Sequence, residues 1–311
     1  MAAKEQCVLL DGVTRTFGRV TALAQLSFEV RHGGVTVLLG PNGAGKTTAL
    51  RMITGSLSPQ SGSVRVFELD PVTDGETIRQ RAGVVPATPE FYERLSGWEN
   101  LRFAADIYSL GSHAPIEPSA ERFGIAGALD DAVGSYSTGM KARLALARAI
   151  LHDPDLLLMD EPTSGLDPES AHAVLALIDE MAEEGKTVVM STHLLLEAEG
   201  LADQVVVMDA GRVLVSGAPS ELIGRYWPTA TVLLDAEDRT SLGRVENFDG
   251  VLSIEGNGGP VNVSLDDIKR IPDLVAELSA QGIRLTRVVP HEPSLEELYF
   301  TVRKNERKGR T

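Results

Sequence analysis

The feature that most constrains this 311-residue chain is a glycine-rich loop between an apolar strand and a helix. The segment Gly40-Pro-Asn-Gly-Ala-Gly-Lys46-Thr47-Thr48 follows the apolar run at Val35–Leu39 and precedes a helical pattern. It matches G-x-x-x-x-G-K-[ST] in the strand, loop and helix context that this pattern requires. Backbone N–H groups of such a loop, together with the N-terminus of the next helix, bind polyphosphates. The chain is therefore predicted to bind a nucleoside triphosphate.

Each residue type in the loop suits a phosphate site. Lys46 is expected to reach the β- and γ-phosphates as a mobile charge, and the Thr47 hydroxyl is expected to ligate Mg²⁺. The predicted nucleotide-binding residues are Gly40, Pro41, Asn42, Gly43, Ala44, Gly45, Lys46, Thr47 and Thr48. The alternative, an ordinary glycine turn, does not explain the lysine and threonine that follow the last glycine.

A second apolar strand ends in two carboxylates. The segment Leu156-Leu-Leu-Met-Asp160-Glu161 places both acids at a strand's carboxyl end, where open α/β sheets bind their ligands. Asp160 can hold Mg²⁺, and Glu161 can polarise an attacking water as a general base. A strand that ends in acids is weak evidence alone, but together with the phosphate loop it predicts a triphosphatase site.

Composition and charge exclude several classes of protein. With 29 Lys and Arg against 44 Asp and Glu, the net charge is −15, so no nucleic-acid partner is expected. The single cysteine, Cys7, cannot form an internal disulfide and is expected to be a small buried residue. No apolar run approaches the ~20 residues of a membrane span. Asp11 interrupts the N-terminal apolar stretch too early for a secretory signal, so a cytoplasmic location is expected.

Short apolar runs alternate with helical patterns along most of the chain, as in α/β proteins with a mainly parallel sheet. The predicted strands are Cys7–Leu10, Leu26–Val30, Val35–Leu39, Ser63–Phe67, Gly83–Val85, Leu156–Met159, Thr187–Met190, Gln204–Met208 and Val213–Val215. The predicted helices are Thr48–Thr54, several within about 97–152, Ser170–Glu183 and Leu194–Ala202. The pattern changes near Gly224–Pro228, which predicts a domain boundary there.

These motifs resemble the ATP-binding-cassette (ABC) ATPases over about residues 7–222. The segments that carry the resemblance are GPNGAGKTT, Tyr136-Ser-Thr-Gly-Met-Lys-Ala-Arg143, LLLMDEPTSGLDP and Ser191-Thr-His193. The resemblance implies a P-loop NTPase fold with a RecA-like parallel sheet core, a β-subdomain and a helical signature subdomain. It also implies that the cofactors are ATP and Mg²⁺.

The resemblance implies functional roles for five residues whose residue types alone do not indicate a function. Ser137 and Gly139 resemble the signature that binds the γ-phosphate of ATP held by the opposite subunit, although alone they indicate only a helix N-cap. Asp167 is implied in the loop that joins two sites, and His193 in contact with the γ-phosphate. Phe17 is implied to stack on adenine, with core packing as the alternative.

One position departs from the family pattern. The family has a glutamine after the strand that Gly83–Val85 resembles, where it touches Mg²⁺ and the attacking water, and this chain has Ala87. A methyl group can neither ligate metal nor orient water. Thr88 is the nearest hydroxyl that could substitute, so this departure concerns coupling and the rate of hydrolysis rather than nucleotide binding.

The chain has one phosphate loop, whereas the family's signature acts across a subunit boundary, so a second copy or a homologous cassette is implied. Coiled-coil insertions are absent, and the sequence is most similar to the ATPase subunit of drug and polyether exporters. That resemblance implies a separately encoded membrane-spanning permease and a peripheral location on the inner face of the cell membrane. A non-transport mechanoenzyme and an ATP-binding regulator with little hydrolysis remain alternatives.

The predicted domains are an ABC cassette at 5–224 and a small α+β domain at 225–311. The second domain has strand patterns at Ala230–Leu234, Val261–Leu265 and Ile283–Val289, with helices at Pro272–Ala280 and Ser294–Val302. It carries no catalytic constellation, so a regulatory or dimer-stabilising role is expected, with a passive extension or a second substrate site as alternatives. Leu295, Leu298, Tyr299 and Val302 give the last helix one apolar face.

Overall fold

The computed structural model describes residues 6–256 and 259–309. Residue 5, where the first predicted domain begins, and residues 310–311 lie outside them. The chain divides into two compact units, one formed by residues 6–219 with 301–309 and the other by residues 220–300. No helix in the described part of the chain has the length and apolar character needed to cross a membrane.

The first unit contains nine strands and seven complete helices among its described residues. In chain order these are β1 (Gln6–Phe17), β2 (Val20–Arg31), β3 (Gly34–Leu39), α1 (Lys46–Ile53), β4 (Ser61–Val66), α2 (Gly75–Gln80), β5 (Ala82–Val85), α3 (Gly97–Ile107), α4 (Ile116–Arg122), α5 (Thr138–Ile150), β6 (Leu156–Asp160), α6 (Pro168–Glu183), β7 (Thr187–Thr192), α7 (Leu195–Leu201), β8 (Gln204–Asp209) and β9 (Arg212–Gly217). Next come α8 (Pro219–Tyr226), β10 (Ala230–Ala236), β11 (Val251–Glu255), β12 (Val261–Leu265), α9 (Ile271–Ala280), β13 (Leu285–His291) and α10 (Leu295–Gly309).

A six-stranded sheet of order β5-β6-β7-β3-β8-β9 forms the centre of the first unit. All neighbours in it are parallel except the edge pair β8 and β9. Every residue of β6 and β7 is buried, because helices cover both faces of such a sheet. The register pairs Asp160 with Ser191 and Leu39 with Thr192. The carboxyl ends of β6, β7 and β3 therefore lie side by side.

A second, antiparallel sheet has the order β2-β1-β4. Strands β1 and β2 are each 12 residues long, whereas the sequence predicted short strands at Cys7–Leu10 and Leu26–Val30. Much of each strand alternates between buried and exposed residues, so apolar runs alone underestimate its length. Cys7 is buried as expected, and its burial raises the pKa of the thiol to about 11.

One hydrophobic core joins the antiparallel sheet to a face of the central sheet. It contains Leu10 and Leu26 from the antiparallel sheet, Leu158 and Val206 from the central sheet, and Leu50 from α1.

The helical stretch predicted from about residue 97 to 152 forms α3, α4 and α5 with short 3₁₀ turns. Ser96 begins α3 with a capping box, because its side chain accepts from Glu99 N and Glu99 accepts from Ser96 N.

The second unit is a four-stranded antiparallel sheet of order β11-β12-β10-β13, with α9 and a 3₁₀ segment in its core. Strand β11, Val251–Glu255, was not predicted because its five residues include no fully buried position. The last strand begins at Leu285 rather than Ile283, and the last helix extends to Gly309. Leu295, Leu298, Tyr299 and Val302 are buried, as their spacing predicted.

Candidate active site

The phosphate loop has the conformation that its glycines permit. Gly45 has φ 104°, and a Cβ atom there would lie 2.6 Å from the backbone oxygen of Ala22. A Cβ on Gly40 would lie 2.4 Å from the backbone oxygen of Met208. The backbone is therefore packed too closely for side chains at both ends of the loop. Helix α1 begins directly after it at Lys46, so the helix N-terminus faces the loop.

Lys46 is almost fully buried, with 5% of its surface exposed. Its Nζ donates to the backbone oxygen of Gly40 at 2.7 Å and to that of Pro41 at 3.3 Å. It also lies 3.5 Å from Oε1 of Glu161. The sequence predicted both residues for one site, and the structure brings them together as an ion pair.

Glu161 lies one residue beyond the end of β6 and links Lys46 to His193. Its Oε2 is 3.2 Å from Nδ1 of His193, which follows β7. Its backbone N–H donates to the carbonyl of Ser191 at 3.0 Å. Glu161 has φ 49°, a left-handed conformation that costs a non-glycine residue about 1–3 kcal/mol and is found mainly at functional sites. The carboxylate is thus held between a cation and an imidazole.

Asp160 and Thr47, the two predicted magnesium ligands, lie on the same side of the site. Both residues line one cavity of about 560 Å³, which we call the Thr47 cavity. Asp160 is 8% exposed, and its Oδ1 accepts a hydrogen bond from Ser191 Oγ at 2.5 Å. Mg²⁺ is commonly held by one or two protein oxygens together with substrate phosphates and water. A buried, oriented carboxylate beside a hydroxyl at the start of the phosphate-binding helix fits that donor set.

A second cavity of about 460 Å³ lies beside Glu161, and we call it the catalytic cleft. Its walls come from three parts of the first unit: the 85–93 segment after β5, the start of α5, and the loop after β6. The lining residues used below are Ala87, Thr88, Glu90, Phe91, Thr138 and Glu161. Ala87 and Thr88 line the Thr47 cavity as well, so both lie where the resemblance placed the missing glutamine.

The start of α5 and the start of α6 lie against each other. Ser137 is the N-cap of α5, and its side chain accepts from the backbone of Met140 at 3.2 Å. A Cβ atom on Gly139 would lie 3.3 Å from Oγ of Ser170, in the first turn of α6. Asp167 is the N-cap of α6 and accepts from Ser170 N at 2.9 Å. Hydrogen bonds from the backbone and then the hydroxyl of Ser170 hold the pKa of Asp167 below its usual value.

Comparison with known proteins assigns this arrangement to a family. Residues 23–164 match the family model described as ABC transporter. The chain is 33% identical to the daunorubicin/doxorubicin resistance ATP-binding protein DrrA of Streptomyces peucetius, over 94% of this chain and 91% of DrrA. It is 38% identical to the Nod factor export ATP-binding protein I of Paraburkholderia xenovorans, over 70% of this chain and 73% of that protein. The chain belongs to the ABC transporter ATP-binding subunits.

A solved structure agrees with this assignment. The structure of an ATP-binding subunit of an ABC transporter superposes with a TM-score of 0.65 at 30% identity, covering 71% of this chain and 93% of that one. The predicted family and the P-loop NTPase fold are thereby confirmed. As a member of this family the chain is an ATPase coupled to transport, and the export named for its Nod factor relative favours the exporter interpretation over the non-transport alternatives.

Phe17 is the last residue of β1. It is 47% exposed at the turn of the β1–β2 hairpin, and the guanidinium of Arg15 lies 5.0 Å from its ring centroid. The hairpin passes the phosphate loop, because the backbone oxygen of Ala22 adjoins Gly45. Core packing is therefore excluded as its role, while stacking on adenine stays a prediction for this ABC subunit.

Sequence reasoning missed three residues of the site. Ser191 orients Asp160, and Thr163 and Glu197 form a buried hydrogen-bonded pair at 2.5 Å. Ser191 and Thr163 belong to recognised motifs, but their spacing gives no sign of which carboxylate each contacts. Glu197 is four residues after His193, and only its burial distinguishes it from the surface acids of a short helix.

Substituting Ala87 tests how the missing glutamine affects the rate of ATP hydrolysis and its dependence on Mg²⁺. Ala87 is exposed and lines both cavities, so a longer side chain fits there. We expect Ala87→Gln to raise turnover several-fold or to lower the Mg²⁺ concentration needed for half-maximal rate, because an oxygen ligand is added near Asp160. Steady-state ATPase rates over a magnesium titration measure this. Ala87→Met, of similar size without the oxygen, is the control, and equal kinetics in all three proteins would assign the role to Thr88 or to water.

Proposed function

We propose that this subunit binds ATP and Mg²⁺ between two cassettes and drives a separately encoded membrane-spanning permease that exports its substrate. The second cassette is another copy of the chain or a homologue. The chain itself is peripheral, on the inner face of the cell membrane. The observation that carries this proposal is a shared wall: Glu90 and Phe91 line both the catalytic cleft and a separate, exposed apolar groove.

Each residue of the site has a different role in the proposed hydrolysis. Lys46 exchanges its contacts with the loop carbonyls for phosphate oxygens and stabilises the charge that develops on the transferred group. Glu161 orients the attacking water and accepts its proton. His193, 3.2 Å from Glu161, fixes the direction of that carboxylate and reaches toward the γ-phosphate. Thr47 and Asp160 would hold Mg²⁺, and the ion would neutralise charge on the phosphate oxygens.

A second cassette completes the site. Ser137 and Thr138 are exposed at the N-terminus of the 13-residue helix α5, where backbone N–H groups and the helix dipole favour an anion. This exposed helix start supports the proposal that it meets the γ-phosphate on the other cassette. Asp167, whose carboxylate is fixed by Ser170, supports a junction between the two sites.

The apolar groove is the proposed permease surface. It has a volume of about 570 Å³ and is lined by Val84, Tyr92, Phe103, Ile107, Tyr108 and Arg148, among others. Phe103 and Ile107 lie one turn apart on α3 and are 48% and 66% exposed. Exposed aromatic and aliphatic side chains around one concave site are typical of protein docking surfaces. With a net charge of −15, the chain is not suited to direct adhesion to anionic lipid, which favours a protein partner.

Arg148 connects the groove to the signature helix. It belongs to α5, and its Nη1 donates to the backbone oxygen of Glu90 at 2.9 Å. Its guanidinium also lies 4.6 Å from the ring centroid of Phe91. The helix that begins at Ser137 is therefore tied to the wall between groove and cleft. A helix docking in the groove can change ATP hydrolysis by displacing this wall.

Co-purification from membranes tests the proposed partner. We expect the tagged chain, expressed in its native host, to retain an integral membrane protein that mass spectrometry identifies. The double variant Phe103→Ser with Ile107→Ser is expected to retain at least tenfold less of that protein. The loss follows from removing two apolar contacts, at up to about 1.5–3 kcal/mol per buried side chain. Val72→Ser, at a residue 54% exposed outside the groove, is the control. Equal retention by the double variant and wild type would refute this docking surface.

The C-terminal domain at 225–311 is proposed to regulate the cassette or to stabilise its dimer. All the predicted site residues precede it in sequence. Residues 301–309 nevertheless belong to the first compact unit, where Arg303 Nη2 lies 3.5 Å from Oδ2 of Asp209 at the end of β8. The last segment of the predicted domain thus belongs to the cassette unit, which supports a regulatory or dimer-stabilising role.

Truncation separates regulation from a passive extension. Deleting everything after Gly224 is expected to leave ATP affinity within about threefold of wild type, because Lys46 and the loop are untouched. Dimer formation or ATPase control is expected to weaken. Fluorescent nucleotide binding, sizing chromatography and turnover measure the three properties. Unchanged dimerisation and turnover would favour a passive extension, and a folded truncation that cannot bind ATP would contradict the division into domains.

A further inference from the structure

The loops that carry Glu161 and His193 extend beyond the strands that support them. Up to Asp160 and Ser191, the ladder between β6 and β7 fixes the two chains relative to each other. After those residues the backbone turns away, and Glu161 is in a left-handed conformation. The Glu161 carboxylate and the His193 imidazole are nevertheless 3.2 Å apart, and the roles proposed for them above depend on that proximity. Beyond the backbone hydrogen bond from Glu161 N to Ser191 O, a side-chain contact joins these two segments.

Glu197 of α7 provides that contact. Its side chain is 8% exposed, and its two oxygens bind different segments, the loop after β6 and the end of β7. Oε1 accepts from Oγ1 of Thr163 at 2.5 Å, and Oε2 accepts from Oγ1 of Thr192 at 2.6 Å. Thr163 lies two residues after Glu161, and Thr192 directly precedes His193. A single buried carboxylate therefore joins the two segments that carry the reacting side chains.

The backbone extends these contacts to the reacting residues. The N–H of Ser164 donates to the carbonyl of Glu161 at 3.0 Å, so Thr163 lies inside a tight turn that begins at Glu161. On the other loop, Leu194 N donates to Oγ1 of Thr192 at 3.0 Å. The backbone on both sides of His193 is thus tied to the hydroxyl that Glu197 holds. Moving the Glu197 carboxylate moves both loops.

We propose that Glu197 is a positioning residue for ATP hydrolysis, whose carboxylate holds the Glu161 loop and the His193 loop in register. This rests on the roles proposed above for Glu161 and His193. Glu197 acts through the two threonines, and it contributes to the rate by fixing geometry. Misplacing a reacting group by about 1 Å can cost about 10²-fold in rate, so the effect falls on kcat. Nucleotide affinity depends on the Lys46 loop, which meets Thr192 through the backbone, from Gly40 N to Thr192 O at 3.4 Å, and not through the hydroxyl that Glu197 holds.

Glu197→Ala and Glu197→Gln distinguish positioning from general stability. We expect Glu197→Ala to lower kcat about 10- to 100-fold, with the dissociation constant for a fluorescent ATP analogue within about threefold of wild type. Glu197→Gln is expected to recover most of kcat, because an amide accepts from one threonine and donates to the other. Glu199→Ala, at an exposed position of the same helix, is the control. A lower melting temperature with wild-type kcat in the folded Glu197→Ala protein would overturn the proposal, as would equal losses of kcat in the Ala and Gln variants.

A double variant tests whether Glu197 acts through the histidine. If it does, adding Glu197→Ala to His193→Ala costs much less than Glu197→Ala does alone. Losses that multiply would overturn the proposed action of Glu197 through the His193 loop. If Glu197→Ala does not fold, Thr163→Val and Thr192→Val each remove one of the two hydrogen bonds and give the same comparison. Wild-type turnover in Glu161→Gln or His193→Ala would instead refute the proposed roles of those residues, a separate result from that of the Glu197 variants.

Discussion

Lys46→Ala is expected to abolish measurable ATP turnover and to weaken ATP binding about 10- to 100-fold. A hydrogen bond to a charged group contributes about 1.5–3 kcal/mol, and each 1.4 kcal/mol is a factor of ten in affinity. The loss in turnover is larger than the loss in binding, because the lysine also stabilises the charge that develops in the transition state. Fluorescent nucleotide binding and steady-state phosphate release measure the two effects. A variant with wild-type turnover would contradict the assignment of the loop.

The fold is expected to survive this substitution. Lys46 is 5% exposed, but it contacts two loop carbonyls and Glu161, whose side chain is 20% exposed and remains within reach of solvent and of His193. Lys46→Met keeps most of the aliphatic stem without the charge and is the matched control. If both variants retain the wild-type melting temperature and both lose ATP binding and turnover, the missing charge is responsible for the loss. If Met restores function, packing of the stem is responsible instead.

The central sheet and the phosphate site were predictable because their signals are local. A buried parallel strand is a continuous apolar run, and the strand that ends in Asp160 and Glu161 shows this directly. The phosphate loop depends on residues adjacent in sequence. The long β1–β2 hairpin was underestimated because the alternating pattern of a half-buried strand is interrupted by bulges such as that between Leu10 and Val13.

The contacts that orient the site were not predictable, because they join residues far apart in sequence. Thr163 and Glu197 are separated by 34 positions, and nothing in either segment marks the other. Glu161 and His193 were each proposed from a motif, yet their direct contact depends on the order of the strands β6 and β7 in the sheet. Motifs thus identify which residues act, whereas the topology determines which pairs of them touch.

Glu161→Gln is expected to reduce ATP hydrolysis about 100-fold or more while leaving ATP affinity unchanged. General-base catalysis contributes about 10²- to 10⁴-fold, and an amide cannot accept the proton of the attacking water. Glutamine keeps an oxygen that can accept from Lys46 Nζ, now 3.5 Å from Oε1, and its amide can donate to Nδ1 of His193. The binding geometry is therefore preserved while the base is lost. Measurements of single-turnover hydrolysis and of equilibrium ATP binding separate the loss of the base from any change in affinity.

The same variant tests the shared site, because blocked hydrolysis traps whatever assembly ATP creates. With ATP and Mg²⁺, Glu161→Gln is expected to elute from a sizing column as a dimer, whereas Lys46→Ala stays monomeric because its loop lacks the charge that holds the γ-phosphate between cassettes. Glu183→Gln, at an exposed acid near the end of α6, is the control and is expected to behave as wild type. A Glu161→Gln protein that binds ATP yet remains monomeric alone would show that two copies of this chain do not form the site. If the natural assembly is a heterodimer, adding a homologous cassette to that sample is expected to produce a dimer. Ser137 of this chain would then contact the nucleotide bound by the homologous cassette.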